Sequence, residues 1–201
     1  MRALGIAAIC ACALACDSGP PPPFYVKDGF LRDSDGRALI LHGANMSGKN
    51  KWAPYLDFQQ APDIARMATD WGMNAMRLVT VWAAIEPQKG VFDDAYLSAL
   101  EERVAWAEAA GIFVVVDMHQ DLYGEGFSGG DGAPKWTCDQ AHYDAFTPTD
   151  PWFFGYLDPN VEACVDAFYT DESLQTEFSA AWQKLAAKLA PHANVIGFDP
   201  L

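Results

Sequence analysis

Basic residues are scarce in this 201-residue chain, which has 13 Lys and Arg against 27 Asp and Glu and a formal net charge of −14. A negative surface repels polyanions, so nucleic acids and anionic membrane surfaces are excluded as the main partners. A solvated acidic surface is the simplest interpretation, and repulsion of anionic substrates is the alternative. A Gly-rich phosphate-binding fingerprint is also missing after every strand predicted below. We therefore do not expect a nucleotide-binding protein.

Hydrophobic runs long enough to cross a membrane are missing too. Residues 1–16 read MRALGIAAICACALAC, and the apolar stretch after Arg2 has the length of a secretory core but is too short for a membrane span. The ending ALAC resembles a bacterial lipoprotein cleavage box, in which the Cys becomes the lipidated first residue, although Ala13 and Leu14 depart from the usual order. The sequence predicts a signal peptide, export to the cell envelope or beyond, and lipidation at Cys16 as the only membrane attachment.

Cysteine is rare beyond this leader, where Cys138 and Cys164 are the only two. In an oxidising compartment an isolated pair predicts a disulfide, and metal binding is the less favoured alternative because no His-rich partner lies at ligand spacing. Residues 17–24 are rich in proline and indicate a stiff spacer. Residues 25–201 follow as one domain, and the chain's 51% of hydrophobic residues suffices for one sizeable core.

Apolar runs alternate with amphipathic segments through this domain. The predicted strands are ALILHGAN (38–45), NAMRLVTVW (74–82), IFVVVDMHQ (112–120) and NVIGFDPL (194–201), and the predicted helices are residues 61–72, 93–111 and 171–191. A hairpin turn is predicted at Asp35–Gly36, before the first strand. Residues 121 to about 170, rich in Gly, Pro, Asp and aromatics, are predicted to form a long substrate-site loop.

The alternation indicates an α/β fold in which helices cover a parallel sheet. An open doubly wound sheet and a (β/α)8 TIM barrel both fit that order of elements. Polar residues gather at the C-terminal ends of successive strands, as they do at barrel active sites, and no phosphate loop supports the doubly wound alternative. The (β/α)8 barrel is therefore the favoured fold class.

Side-chain alternation places several of these polar groups on shared faces. On the third strand Asp117, His119 and Asp121 point the same way, and Arg77 interrupts the apolar second strand. A buried guanidinium needs a carboxylate partner, since an unpaired buried charge costs several kcal/mol. One interpretation is an internal ion pair of Arg77 with Asp117 or Asp199. The favoured one is the polar floor of an active site, because three strands place polar groups at the same end.

These segments carry a family resemblance. RALILHGAN, the stretch from GMNAMRLVTVW to VVVDMHQD, and NVIGFDPL resemble the first half of a glycoside hydrolase family 5 barrel, from about Gly29 to Leu201. DMHQDLY, followed by a Gly-rich loop and GAPKW, is most similar to the endoglycoceramidase-type branch. The resemblance implies a retaining β-glycosidase that needs no cofactor and cleaves the bond between a glycan and a lipid. Together with the leader, it leads us to expect an exported monomer. Residues 25–201 would supply roughly the first four β/α units of its barrel.

The resemblance also implies roles for single residues. Arg77 would orient the nucleophilic carboxylate, and His119 would hydrogen-bond a sugar hydroxyl beside the cleaved bond. The sugar contacts implied in addition are Asp121, Lys51 and the stacking rings of Trp136 and Trp152. A core histidine is the alternative for His119, and core packing is the alternative for both Trp residues.

The catalytic Glu pair of the family is not found in this chain. The resemblance places the two Glu residues at the ends of the fourth and seventh strands, and both are expected beyond Leu201, so the 201 residues alone should be inactive. Asp117, Asp121, Glu125 and Asp199 are not assigned to those roles. The alternatives are an endo-β-glucanase or mannanase acting on soluble polysaccharide, and an inactive surface lipoprotein that binds carbohydrate.

Overall fold

A computed structural model describes residues 24–56 and 58–200. The predicted signal peptide, the lipidation at Cys16 and nearly all of the proline-rich spacer lie outside these residues. The described residues divide into two compact units, with the boundary between Leu39 and Ile40. Across the described residues, no helix combines the length and the apolar character that a membrane span requires.

The first unit contains an antiparallel hairpin of β1 (Phe24–Lys27) and β2 (Phe30–Asp33). Its two-residue turn is Asp28–Gly29, and both residues have positive φ, at 53° and 76°. That backbone matches the right-handed twist of paired strands, which is why Asp-Gly is favoured there. The sequence did not single out this turn.

The predicted turn at Asp35–Gly36 is also present in this unit. Gly36 has φ 84° and its N–H donates to the carbonyl of Asp33 at 3.0 Å. After the turn the chain pairs with β2 only through the bridge between Arg32 and Ala38. The main hairpin of this unit is therefore β1–β2, which precedes the hairpin predicted around Asp35–Gly36.

The second unit is built on a four-stranded parallel sheet in the order β3-β4-β5-β6. The strands are β3 (Gly43–Met46), β4 (Ala75–Thr80), β5 (Phe113–Met118) and β6 (Val195–Asp199). The first of them is shorter than predicted, because the run from Ala38 pairs only from Gly43, and Ile40 is 82% exposed. A Cβ on Gly43 would lie 1.8 Å from the carbonyl oxygen of Ala75, so only glycine lets β3 approach β4 there.

Six helices connect or cover the strands within the described residues. They are α1 (Ala61–Thr69), α2 (Trp82–Ile85), α3 (Asp94–Ala109), α4 (Gln140–Ala145), α5 (Pro159–Thr170) and α6 (Glu172–Leu189). The three predicted helices correspond to α1, α3 and α6. The Asp93 carboxylate accepts from the backbone N–H of Tyr96 at 2.9 Å, and Gly111 turns the chain away after α3 with φ 70°.

The prediction of one long loop over residues 121–170 is wrong in part. The segment contains α4 and α5, together with a 3₁₀ helix (Trp152–Leu157). Asp158 accepts from the N–H of Asn160 at 2.8 Å and Pro159 opens α5, so ordinary start signals were present. They were hidden among the many Asp, Pro and aromatic residues that indicated a loop.

The order of strands and the packing of helices decide between the two closures. Successive strands are neighbours, and parallel crossovers are right-handed, so the main crossover helices α1, α3 and α6 fall on the same side of the sheet. This arrangement fits a barrel, whereas a doubly wound sheet carries helices on both faces. Accordingly α1 packs on α3, and α3 on α6. The core between sheet and helices is fully buried and includes Ile64, Leu78, Leu100, Val114, Val116 and Leu185. Each such side chain contributes about 1.5–3 kcal/mol by its burial.

Candidate active site

Arg77 joins three neighbouring strands at the floor of the site. From β4, its Nη2 donates to Asp117 Oδ1 on β5 at 2.7 Å. Nη2 and Nε both donate to Asp199 Oδ2 on β6, at 3.2 and 3.3 Å. Asp117 is 2% exposed, whereas the Arg77 side chain is 33% exposed. The predicted ion pair is therefore present, and its open side faces a cavity that Arg77 and Asp199 border.

His119 continues this polar line toward the mouth of the sheet. Its Nδ1 lies 3.4 Å from Asp117 Oδ2, and its Nε2 lies 3.4 Å from Asp121 Oδ2. The contact with Asp117 raises the pKa of His119 above its ordinary value, and this outweighs the opposing effect of burial. A protonated imidazole can therefore bridge the two carboxylates. His119 also lines the cavity, so it is not a sealed core histidine.

Lys51 reaches the same place from the loop between β3 and α1. Its ammonium contacts Asp121 Oδ2 and lies 3.3 Å from Asp131 Oδ2. Burial alone would lower the pKa of Lys51, but the two carboxylates raise it above the usual value. Burial likewise raises the pKa of Asp121, yet Lys51 and His119 outweigh it and the pKa falls.

Asp131 is the buried member of this group, with an exposed fraction of 0%. Burial raises its pKa to about 6, even though Lys51 opposes the shift. Its backbone pairs with that of Asp121 through two hydrogen bonds of 2.9 and 3.0 Å. The backbone thus fixes the spacing of two carboxylates that the Lys51 ammonium bridges.

His119, Asp121 and Asp131 offer possible metal-ligand atoms within 4.8 Å of one another. The Lys51 ammonium contacts both carboxylates of this trio, so a cation from the chain itself already balances them. The donor set is therefore explained by an ion-pair cluster, and we assign no metal to it.

A cavity of about 540 Å³ is bordered by the polar groups of Arg77, Asp117, His119 and Asp199. The rest of its lining is largely aromatic, a set called here the aromatic wall: Trp82, Tyr123, Tyr156, Phe168, Tyr169 and Phe178. Tyr156 links the two sides, because its hydroxyl donates to Asp121 Oδ1 at 3.3 Å. The volume lies within the range of small-molecule sites, and hydrogen-bonding groups facing aromatic rings suit a sugar with polar edges and apolar faces.

The structure brings together four of the six predicted contact residues: Arg77, His119, Asp121 and Lys51. Of these four, Arg77 and His119 line the cavity, and Asp121 and Lys51 join them through ion pairs. The two Trp residues do not line it. Trp136 packs edge-on against Trp82, with ring centroids 5.4 Å apart, and its indole N–H donates to the carbonyl of Glu86 at 3.1 Å. Core packing, the alternative, describes it well. Trp152 is 49% exposed with its ring 6.2 Å from that of Tyr156. Their stacking roles stay predictions.

Sequence reasoning missed Asp131 and most of the aromatic wall. Asp131 lies between glycines in an irregular segment, where no periodicity identifies a buried position. Phe168 and Phe178 belong to α5 and α6, and Trp82 to α2, which directly follows β4. A search for helical spacing of apolar residues in 159–170 would have predicted α5, the helix that carries Phe168.

Cys138 and Cys164 form a disulfide with Cα atoms 5.5 Å apart. It ties the short 3₁₀ turn Lys135–Thr137 to the middle of α5, the helix that contributes Phe168 to the wall. The bond therefore supports the aromatic side of the cavity.

Comparison with known proteins identifies relatives over most of this chain. A family model described as Cellulase (glycosyl hydrolase family 5) matches residues 33–201. Endoglycoceramidase I of Rhodococcus hoagii is 30% identical over 174 residues, which are 85% of this chain and 35% of that protein. An endoglycoceramidase of Cyanea nozakii is 26% identical over 198 residues, 84% of this chain and 39% of that protein. The chain thus spans little more than a third of either relative.

Solved structures show the same relationship. Endo-glycoceramidase II from Rhodococcus sp. matches with a TM-score of 0.76 and 34% identity, covering 85% of this chain and 41% of that one. Its complex with ganglioside GM3 matches with a TM-score of 0.74 and 32% identity, over the same shares. A crystal structure of endogalactoceramidase matches at 0.76 and 32%, covering 90% and 44%. These neighbours confirm the predicted fold class, a (β/α)8 barrel of which this chain supplies part.

Proposed function

Because the chain belongs to glycosyl hydrolase family 5, we propose that its cavity binds the glycan in the active site of an exported, retaining β-glycosidase that acts on glycolipids. The observation that carries this proposal is the continuous polar line from Arg77 through His119 to Lys51, whose members Arg77 and His119 line one cavity together with aromatic rings. Sugar hydroxyls need such donors and acceptors, and sugar ring faces pack on aromatic rings.

The glycolipid specificity draws its support from the relatives. Two relatives are named endoglycoceramidases, and one solved neighbour is a complex with the ganglioside GM3, a glycolipid. The aromatic wall supports the same direction, because Phe168, Phe178 and Tyr169 offer apolar surface beyond what a small sugar needs. The lipid would then lie along this wall while the glycan contacts the polar floor.

The retaining mechanism uses two carboxyl groups about 5–5.5 Å apart, one as nucleophile and one as acid and base. We assign neither role to a described residue. Asp117 and Asp199 are engaged by Arg77, and Asp121 is engaged by Lys51 and His119. In the proposal Arg77 holds the nucleophilic carboxylate in orientation, and His119 and Asp121 hydrogen-bond the sugar next to the cleaved bond.

A second candidate, hydrolysis of a soluble β-glucan, is favoured by one relative. Endoglucanase N of Pectobacterium atrosepticum is 26% identical over 100 residues, which are 47% of this chain. The polar floor could bind the sugar of either substrate. The two candidates differ in whether the aromatic wall contacts a lipid aglycone.

The decisive experiment is to incubate the full-length product of the gene with lactosylceramide micelles and with cellotetraose. Release of free ceramide supports the proposal, and hydrolysis of cellotetraose without ceramide release supports the second candidate. The 201-residue chain tests the binding step: saturation-transfer NMR should show lactose bound, the signal should be lost in Asp121→Asn, and it should persist in the surface control Arg66→Ala. Absence of lactose binding by the unaltered chain would contradict a glycan site.

Export has its own test through the disulfide. In the bacterial envelope fraction, Cys138 and Cys164 should resist a thiol probe until a reductant is added, because exported proteins keep such bonds oxidised. Immediate reaction of both cysteines would contradict export. Retention of the product in the membrane after high-salt washing would support lipidation at Cys16 in addition.

A further inference from the structure

A buried polar network lies under the loop between β3 and α1 that carries Lys51. Its members Asn50, Gln59 and Arg103 have exposed fractions of 0%, 1% and 6%. Buried polar side chains lower stability unless each is hydrogen-bonded, so such a group calls for an account of what it holds in place.

Asn50, the residue next to Lys51, is hydrogen-bonded to the sheet. Its Nδ2 donates to the carbonyl of Met46, at the end of β3, and to that of Val79 in β4, both at 3.0 Å. Its Oδ1 accepts from Gln59 Nε2 at 2.7 Å, which closes the loop across nine positions. The amide of Asn50 is therefore anchored from two strands and from the far end of its own loop.

Arg103 holds that far end from α3. Its Nη2 donates to the carbonyl of Leu56 and, at 3.3 Å, to the carbonyl of Gln59. Its only ion pair among the described residues is with Glu102, at 3.7 Å, and the Glu102 side chain is 59% exposed. The guanidinium is thus buried mainly against loop carbonyls rather than against a carboxylate. Burial accordingly lowers the pKa of Arg103.

We propose that Arg103 and Gln59 are positioning residues that set Lys51 between Asp121 and Asp131 through the buried amide of Asn50. This inference rests on the proposed function only where it concerns sugar binding. The Lys51 ammonium sits on a flexible four-carbon stem, so it keeps its place only if the backbone of Lys51 is fixed. The network supplies that fixation from β3, β4 and α3 together.

A positioning role and a purely stabilising role predict different reactivities of the Lys51 amine in the folded protein. A residue that only stabilises changes the free energy of unfolding and leaves the folded surroundings of Lys51 as they were. A positioning residue changes the protection of the Lys51 amine at temperatures where the protein remains folded. The protection of this one amine is therefore the quantity to measure.

The experiment labels the 201-residue chain with acetic anhydride and compares the rate at Lys51 with that at the exposed Lys135. The variants are Gln59→Met, which keeps the side-chain size, Arg103→Met, and the conservative Arg103→Lys. Arg66→Met, from the exposed face of α1, is the matched control. Each protein is labelled where less than about one molecule in a thousand is unfolded.

Gln59→Met and Arg103→Met should raise the relative labelling rate of Lys51 about tenfold, and should weaken lactose binding by a similar factor. Arg103→Lys should restore most of the protection, and Arg66→Met should change nothing. If Arg103→Met does not fold, Gln59→Met and Arg103→Lys carry the test. Unchanged protection of Lys51 in Gln59→Met would overturn the inference. If the unaltered chain fails to bind lactose, the proposed function fails, while the labelling result still decides the positioning role.

Discussion

Two charged clusters, which His119 links, differ in how the chain holds them. The strand-borne cluster is Arg77, Asp117 and Asp199, whose backbones are locked in the central ladder of the sheet. The loop-borne cluster is Lys51, Asp121 and Asp131, whose backbones lie outside the strands. The first uses a guanidinium that stays charged at every relevant pH and can make two directed bonds, and the second uses a point charge on a flexible stem. The difference indicates a floor held by the sheet and a rim, formed by Lys51, Asp121 and Asp131, that is held by contacts of its loops.

The largest effect should come from breaking the strand-borne cluster. Asp117→Ala leaves Arg77 without its buried partner and should lower the free energy of unfolding by about 3 kcal/mol, measured by urea titration. Asp199→Ala is the matched control, because Asp199 is 42% exposed, and it should lower that free energy by less than about 1 kcal/mol. Equal losses in the two variants would contradict the account of a buried floor.

Removing the cation of the loop-borne cluster should have a smaller, pH-dependent effect. Without Lys51 the pKa of Asp131, already about 6, rises further. Above that pKa the folded protein must carry a buried, unbalanced carboxylate, which lowers the free energy of unfolding. Lys51→Met should therefore lose more stability at pH 8 than at pH 5, by about 1.4 kcal/mol for each unit by which the pKa rises. Urea titrations at the two pH values measure this. A loss independent of pH would show that Lys51 does not balance Asp131.

His119 lies between the clusters and should couple them through its own proton. Its folded-state pKa is above the ordinary 6.5, so the stability that protonation adds is fully present below pH 6.5 and is lost as the pH rises through the folded value. The difference in stability between the unaltered protein and His119→Gln should thus shrink from pH 5.5 to pH 8.5, by less than about 1 kcal/mol. A difference that grows with pH would contradict the bridge to Asp117.

The smallest effect should come from the single link between rim and aromatic wall. Tyr156→Phe removes the hydroxyl that donates to Asp121 and should cost about 0.5 kcal/mol in stability. The same variant should leave the pH dependence of the His119 imidazole signal in NMR unchanged. A large shift of that titration would mean that Tyr156 helps to set the charge of the cluster.

The contrast between the clusters also explains which residues the sequence could predict. Arg77, Asp117 and His119 lie on or directly after regular strands, where alternation of side chains assigns each to a face. Asp131 and Tyr156 lie in segments without a period, and their contacts depend on how a 50-residue connection folds. Lys51 was found only through the family resemblance, since nothing local distinguishes a lysine on a loop.

The fold was predictable to a similar depth. Sequential parallel strands and the helices α1, α3 and α6 follow from apolar spacing and their start and stop residues. The hairpin at Asp28–Gly29 and the helix α5 were missed although both carry recognisable signals. For Trp136 the family resemblance implied a stacking wall with core packing as the alternative, and the packing of its ring against Trp82 favours the alternative.

The backbone pairing of Asp121 with Asp131 has a consequence for how the protein reaches its native state. The two residues are only ten positions apart, and loops of that length close within about 10–100 ns. Lys51 is separated from Asp121 by 70 positions and must arrive through a much slower search. Two carboxylates therefore meet before their cation does. Repulsion between the two ionised carboxylates opposes this early contact, and mild acid weakens the repulsion by protonating one of them. The refolding rate of this region should therefore increase in mild acid.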